Sequence, residues 1–447
     1  MILKSITIEN FRGIKHNTFD FDNKFNLIIG NNGMGKTSVL EAIAIGLGGF
    51  IVGIDGITTI HFTPDDVRSI GHLVGDGSYD IEYFTPTVVR CIADFADEEI
   101  VWNRSKSSQK KTTRTVTTKN ISKYATTLTK NKNNVFPVIS YQSAGRMWTQ
   151  KRDKWEDVFT VNYMRNVGYT HCLASESNIS MLTNWCQRME RIAYQKKTEL
   201  AEYESVKKAV GKFIGVLENT DINSTIFYDE RTGELVYFSN GEALPLRFMS
   251  AGYRSLIGMV ADIAYRMAIL NPDLRRDVTE KTPGLVLIDE IDLHIHPKWQ
   301  WRIVEALMQT FPYVQFIATT HSPVVIASCK DKKIISLFDS DTSTPIIELD
   351  TKYIKSPYGW RVNDVLNTFM GVDERSPEVK PQLEEIKQLS FKKIKNQLSD
   401  EENTKLNQLK DDVYSNLPQN DAAVELAELG SIEDILKERG KRNAQSR

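Results

Sequence analysis

Cysteine is scarce in this chain. Four residues in 447, Cys91, Cys172, Cys186 and Cys329, lie far apart, and none belongs to a Cys-x-x-Cys pair. That spacing disfavours a disulfide scaffold or a four-thiolate zinc site and predicts a reducing, cytoplasmic setting. Long apolar runs are missing too. Nothing approaches the ~20 residues that a spanning helix needs, and the opening MILKSITIENFRG has no continuous apolar segment of the export type. Neither membrane insertion nor export is predicted. A strong charge of one sign is absent, the net charge being −2, so any nucleic-acid contact must come from a local patch. No repeat of fixed period and no sustained heptad is found, which argues against a solenoid or a long coiled-coil arm. What remains, 41% hydrophobic and 26% charged residues, is ordinary globular composition, with length for one elaborated domain or two to three smaller ones.

Ile2, Ile6 and Ile8 alternate with polar residues as in a half-buried strand, and Phe19 and Phe21 begin a second. Phe25 to Ile29 is apolar almost throughout, as a strand buried on both faces should be. It runs into a glycine-rich loop and then a helical pattern from Ser38 to Gly46. Short β-like runs at 81–84, 88–93 and 100–102 predict a small antiparallel layer. From Arg104 to Lys132 there are nine Lys or Arg and no acidic residue, the composition of an exposed basic loop. A buried strand at 135–141 and a helical stretch at about 181–217 follow. Two further strands, 285–288 and 314–319, bracket a helix at 298–311, a β-α-β rhythm that implies a parallel sheet covered by helices. After Thr351 the chain turns helical and charge-rich. The predicted organisation is the N-terminal part of an α/β domain at 1–145, a helical lobe at 146–245, the C-terminal part of the same α/β domain at 246–350 and a helical interaction region at 351–447.

Gly30-Asn31-Asn32-Gly33-Met34-Gly35-Lys36-Thr37 fits G-x-x-x-x-G-K-[ST] in full. The glycines let backbone N–H groups converge on phosphate oxygens, Lys36 reaches the β and γ phosphates, Thr37 offers a hydroxyl to magnesium, and the next helix points its positive end at the anion. Asn31 through Ser38 are the expected nucleotide contacts. Leu285-Val-Leu-Ile-Asp289-Glu290 is a strand ending in two carboxylates, with Asp289 assigned to the metal and Glu290 to the attacking water. His321 follows the next strand at the same end of the sheet, where an imidazole can sense the γ-phosphate; the alternative is a loop histidine satisfied by backbone. Gln142, after another apolar strand, can approach magnesium or water, or is simply a glutamine at a strand end. Ser250 and Gly252, in Met249-Ser-Ala-Gly-Tyr253, open a helical stretch whose N-terminus is a second phosphate-binding surface without its own lysine, suited to nucleotide held by another subunit.

These motifs, with Asn10-Phe11-Arg12-Gly13 before the loop, FMSAGYRS, LVLIDEIDLHIHP carrying Asp292, and ATTHSP, stand in one order over most of residues 1–330. In this the chain resembles the ATP-binding-cassette ATPase superfamily, in its soluble RecF-like and chromosome-maintenance-like branch. The resemblance implies a P-loop NTPase head with a mixed parallel core sheet, an antiparallel β layer, a helical lobe and a C-terminal helical appendix. It also implies two Mg-ATP sandwiched between paired heads, Ser250 and Gly252 of one touching the γ-phosphate bound to Lys36 of the other, and Arg12 as a further nucleotide contact. Ala251 and Tyr253 depart from the transporter-type signature. The tail GWRVNDVL and FMGVDER is similar to that of compact bacterial ATPases, including the ATPase subunits of Septu-type anti-phage systems, which implies a separate nuclease partner of HNH type.

His294 and His296 read better as part of a dimer-facing loop than as a metal pair, and Asp339 with Asp341 better as a turn than as a nuclease site. The basic segment, with Arg146, Lys151, Arg152, Lys154, Trp148 and Trp155 nearby, is either a DNA or RNA contact or a solvated charge run. The leading expectation is an ATPase switch on a partner nuclease. A RecF-like DNA-binding ATPase, a static ATP-bound scaffold and, least, a transporter motor are the rivals.

Overall fold

The computed structural model describes residues 1–424 apart from 148–164, 175–178, 222–223, 340–348 and positions 74, 76, 77, 97, 132, 355, 374, 396, 419, 420, 422 and 423. Strands β1 (Ile2–Phe11) and β2 (Ile14–Asp20) pair antiparallel. β3 (Phe25–Ile29) leaves them for a second sheet and is buried at every position. The same holds for β9 (Val138–Gln142), β13 (Gly284–Ile288) and β14 (Val314–Thr319). Such unbroken burial is what a strand covered on both faces requires. With β15 (Lys333–Asp339) and β16 (Leu349–Ile354), they form a sheet in the order β16-β15-β3-β14-β13-β9, parallel except for β16 at its edge.

The second layer is antiparallel, in the order β2-β1-β6-β7-β8, where β6 is Thr87–Phe95, β7 Glu98–Lys106 and β8 Val116–Thr117. Helix α1 (Lys36–Ile51) packs between the two sheets, touching β1, β6 and β7 on one side and β13 and β14 on the other. It is therefore apolar nearly all round, as a doubly covered helix must be. The approach is close: a Cβ at Gly46 would lie 2.5 Å from Cys91 Sγ, and Trp102 Nε1 donates to the Gly46 carbonyl at 2.9 Å.

The segment from Arg104 to Lys132 is not the exposed loop that its composition suggests. Arg104 sits in β7 fully buried, donating to the Ile60 carbonyl at 3.0 Å and to that of Ile45. Lys106 is buried too, its Nζ donating to the carbonyls of Lys110 (3.1 Å) and Thr113 (2.8 Å). After β8 comes helix α2 (Lys119–Lys130), seated by buried Ile121 and Ala125. Lys110, Lys111, Arg114, Lys119, Lys123 and Lys130 lie outside the core. Lys132, Trp148, Lys151, Arg152, Lys154, Trp155 and Asp341 lie outside the described residues, and Arg146 falls in a short helical turn, Ala144–Met147.

A hairpin of β4 (Ser69–Leu73) and β5 (Tyr79–Tyr83) stands apart from both sheets. Helices α3 (Ile179–Lys196), α4 (Ala201–Glu218) and α5 (Ala251–Leu270) accompany a three-stranded sheet of β10 (Thr225–Asp229), β11 (Glu234–Ser239) and β12 (Glu242–Pro245). Residues 225–245, expected in a helical lobe, are thus β-structure. Apolar and aromatic residues cluster over TIFYD and ELVYFS on either side of a turn, which favours a hairpin. Helices α6 (Ile303–Thr310) and α7 (Pro323–Ser328) complete this part.

The chain divides into two compact units, Met1–Val365 and Leu366–Arg447. In the second, α8 (Val379–Ile394) and α9 (Asp400–Tyr414) close over a core of Ile386, Leu389, Leu406 and Val413, and Ser399 and Glu402 form a reciprocal cap at the start of α9.

Candidate nucleotide site at the strand ends

The loop between β3 and α1 turns on glycines with positive φ, Gly33 at 83° and Gly35 at 79°. Left-handed backbone is costly for a residue with a Cβ, so these two positions favour glycine. Helix α1 starts with no side-chain cap and no acidic residue in its first turn, which leaves its N-terminal N–H groups and dipole available to an anion. Asn31, Asn32 and Gly33 are exposed, and Met34, Gly35 and Ser38 are more enclosed. Lys36 arches back over the loop, its Nζ donating to the carbonyls of Gly30 (2.8 Å) and Asn31 (3.0 Å). Burial pushes its amine down to about 8 against the opposing pull of Asp289, Glu290 and Asp292.

Parallel strands carry the other groups to the same edge, because their C-terminal ends align. Asp289, next after β13, is buried; it accepts from Thr37 Oγ1 at 2.9 Å and from Thr319 Oγ1 at 2.6 Å. Thr319 closes β14, and its hydroxyl also accepts the Glu290 backbone N–H at 2.8 Å. Glu290 adopts a positive φ of 49°, a conformation that costs about 1–3 kcal/mol and persists only when its surroundings hold it. Here the Thr319 hydroxyl and the bond from Ile291 N to the Thr319 carbonyl do so. Asp292 accepts from Thr320 Oγ1 at 2.5 Å. His321 is half-buried, and burial followed by the charge of Lys36 pulls its imidazole below the usual range, with Asp292, Glu290 and Asp289 opposing. Lys36, Asp289, Glu290 and His321 thus share one electrostatic environment.

Gln142 ends β9. Its backbone carbonyl accepts from Asp289 N at 2.8 Å, while its side-chain nitrogen donates to Ser140 Oγ and to Asp262 Oδ2, both at 2.9 Å. Ser250 caps α5, its hydroxyl accepting from Tyr253 N at 3.4 Å. A Cβ on Gly252 would lie 2.4 Å from the His294 carbonyl, so the helix start seats directly on the loop after Asp292. Ser250 and Gly252 line a cleft with Glu218, Thr220, His294 and Trp299, which contains none of the residues of the Lys36 cluster. Arg12 reaches the loop only indirectly: its guanidinium is paired with Asp66 at 2.9 Å and with Glu41 of α1. His296 caps a short helical turn, its Nδ1 accepting from Lys298 N, and no group of three or more metal-ligating side chains occurs among the described residues.

Sequence reasoning missed Thr319, Ser140, Asp262 and Arg266. Asp262 and Arg266 did leave a signal, an acid and a base four residues apart within the largely apolar helix α5.

A family model described as AAA domain matches residues 5–224, and a second, whose description adds a putative AbiEii toxin of a Type IV TA system, matches residues 193–327. The chain is 25% identical to the "Retron Vc95 probable ATPase" of Vibrio cholerae over 81% of its own length and 78% of that protein. It is 32% identical to "Septu protein PtuA" of Bacillus thuringiensis over 39% of this chain and 43% of that one, so the match spans under half of that relative. The SMC head domain from Thermotoga maritima aligns with a TM-score of 0.42 at 14% identity, over 79% of this chain and 100% of that one. No helix among the described residues is long and apolar enough to cross a membrane. In motif order and strand order the chain resembles P-loop NTPase heads of the ATP-binding-cassette type, and in sequence it is similar to PtuA and to a retron ATPase.

Proposed function

We propose that this chain binds ATP with magnesium, hydrolyses it slowly, and works as paired heads that switch a partner nuclease in bacterial phage defence. The observation that carries the reading is the hydrogen-bond chain Thr37–Asp289–Thr319–Glu290, which fixes a hydroxyl, a buried carboxylate and a second acidic residue at the mouth of the phosphate loop. Thr37 and Asp289 offer the hard oxygen ligands that suit magnesium. Magnesium held there would supply charge neutralisation to the bound phosphates. The loop N–H groups and Lys36 hold the phosphates, Glu290 orients water and takes its proton, and His321 donates to the γ-phosphate. Ser250 and Gly252 receive the nucleotide of the paired head. The likeness to PtuA and to a retron ATPase supports the defence setting.

Blocking hydrolysis should trap the pair. Native mass spectrometry of Glu290→Gln is expected to give a doubled mass only with Mg-ATP, and Ser250→Arg in the same background should abolish the doubling. A mass that never responds to nucleotide would replace the switch with a preassembled scaffold.

One observation favours a second reading, a RecF-like ATPase that holds nucleic acid itself. Lys119, Lys123 and Lys130 lie within about 40° of one another around α2, at about 100° per residue, and Ile121 and Ala125 lie on another face. Such a stripe can follow a phosphate backbone.

A further inference from the structure

We propose that Asp262 is a positioning residue: it fixes which end of the Gln142 amide faces the nucleotide site and ties that choice to helix α5. The inference rests on the ATPase reading above. Hydrogen-bond accounting carries it. Asp262 Oδ2 receives the Arg266 Nε–H at 2.9 Å, a Gln142 amide proton at 2.9 Å and the Ser140 hydroxyl at 3.3 Å. The second Gln142 amide proton goes to Ser140 Oγ at 2.9 Å. A carboxylate only accepts, and an amide has two protons on nitrogen and none on oxygen. Both protons are therefore committed to the Ser140–Asp262 side, the amide cannot turn over without placing its oxygen against a carboxylate, and Oε1 is the atom left to accept from other groups.

The orienting acid is itself held. Arg266 is buried and donates from Nη1 to the carbonyls of Gly168 and Thr170, both at 2.9 Å. A buried cation of this kind cannot relax into water, so it pins the carboxylate from the far side. Gln142 is tied to the hydrolytic carboxylates by its own backbone, through the bond from Asp289 N. Asp262 lies twelve residues beyond Ser250, the cap of a single 20-residue helix, about 18 Å at 1.5 Å per residue, so a tilt of the capped end is carried to the carboxylate as rigid-body motion. The linkage runs from Ser250 along α5 to Asp262, then to Gln142, Asp289 and Thr37. Engagement of a second nucleotide at Ser250 is thereby felt where water and metal are handled.

The test is a double-mutant cycle of Asp262→Asn with Gln142→Ala in the full chain, read as kcat, KM for ATP and the magnesium concentration giving half-maximal rate. Asp262→Asn is expected to lower kcat about 10- to 100-fold, the range for a misplaced reacting group. KM for ATP should stay within about twofold, since phosphate binding is untouched, while the half-saturating magnesium rises. In the Gln142→Ala background the same substitution should change kcat hardly at all, because the amide it orients is gone. Additive losses would overturn the proposal and make Asp262 a structural support for Arg266. Should Asp262→Asn fail to melt cooperatively, Ser140→Ala carries the same cycle without disturbing Arg266, with a smaller loss that must likewise vanish beside Gln142→Ala. Lys36→Ala is run as baseline: a wild type no faster than this variant defeats the ATPase reading itself, whereas an active wild type with an additive cycle defeats only the role of Asp262.

Discussion

Lys36 is the residue at which folding and binding are most visibly opposed. The residue is 6% exposed and its amine lies among its own loop carbonyls, so the fold disfavours the charge and lowers the pKa to about 8, although Asp289, Glu290 and Asp292 pull the other way. A polyphosphate placed on the loop favours the ammonium and must raise that value again. Between the free and bound pKa values the complex holds more protons than the free protein, and linkage then requires affinity to fall as pH rises. Nucleotide affinity should be flat below about pH 7 and decline above about 8, approaching tenfold per pH unit for a one-proton linkage. Calorimetry near pH 8.5 in two buffers of different ionisation heat should reveal proton uptake on binding. A flat profile to about pH 9.5 with no uptake would place the lysine amine in a more solvated setting than its burial implies.

Helix α2 shows what an element adds to a composition. Nine cations without an acid read as a solvated loop, yet β7 alternates sides, so Arg104 and Lys106 point inward and only part of the charge faces water. The remaining stripe of Lys119, Lys123 and Lys130 supports a specific expectation. If it follows a duplex backbone, changing all three to Gln should flatten the slope of log affinity against log salt by about 2–3, near 0.9 for each phosphate no longer neutralised. An unchanged slope, measured by fluorescence anisotropy on one duplex at several salt concentrations, would remove the element from the nucleic-acid reading. The nucleotide loop, by contrast, was legible because its chemistry is contiguous: an apolar strand, glycines where φ is positive, then Lys36 and Thr37. Asp289 and Glu290 were legible as acids closing an apolar run. The pairings of Asp262 and Arg12 were not, since Gln142 stands 120 positions from Asp262, Asp66 and Glu41 stand 54 and 29 from Arg12, and only the fold brings them together. The sheet at 225–245 was missed because strands of four to six residues are outweighed by the flanking helical pattern.

At the scale of the molecule, the division at Val365 and Leu366 separates the strand-end chemistry from a helical unit with a core of its own. Among the described residues that core holds Ile386, Leu389, Leu406 and Val413, with Leu383, Leu398 and Leu409 packed against them, and Leu406 is fully buried. Truncating a buried leucine to alanine costs about 2–5 kcal/mol. The α8–α9 pair has little more than that to lose, since stability scales at about 0.05–0.15 kcal/mol per residue. Leu406→Ala should therefore melt the α8–α9 pair at a lower temperature than the first unit, which should stay folded. Thermal unfolding by circular dichroism should lose an early helical transition, limited proteolysis should cut beyond Leu366, and the affinity for a fluorescent ATP analogue should stay within about twofold. If, as proposed, paired heads regulate a partner and do so through this unit, the variant should also keep the ATPase rate of the unchanged chain while failing to regulate that partner. Loss of nucleotide affinity in Leu406→Ala would show instead that the two units fold as one, and the switch would have to be sought inside the head.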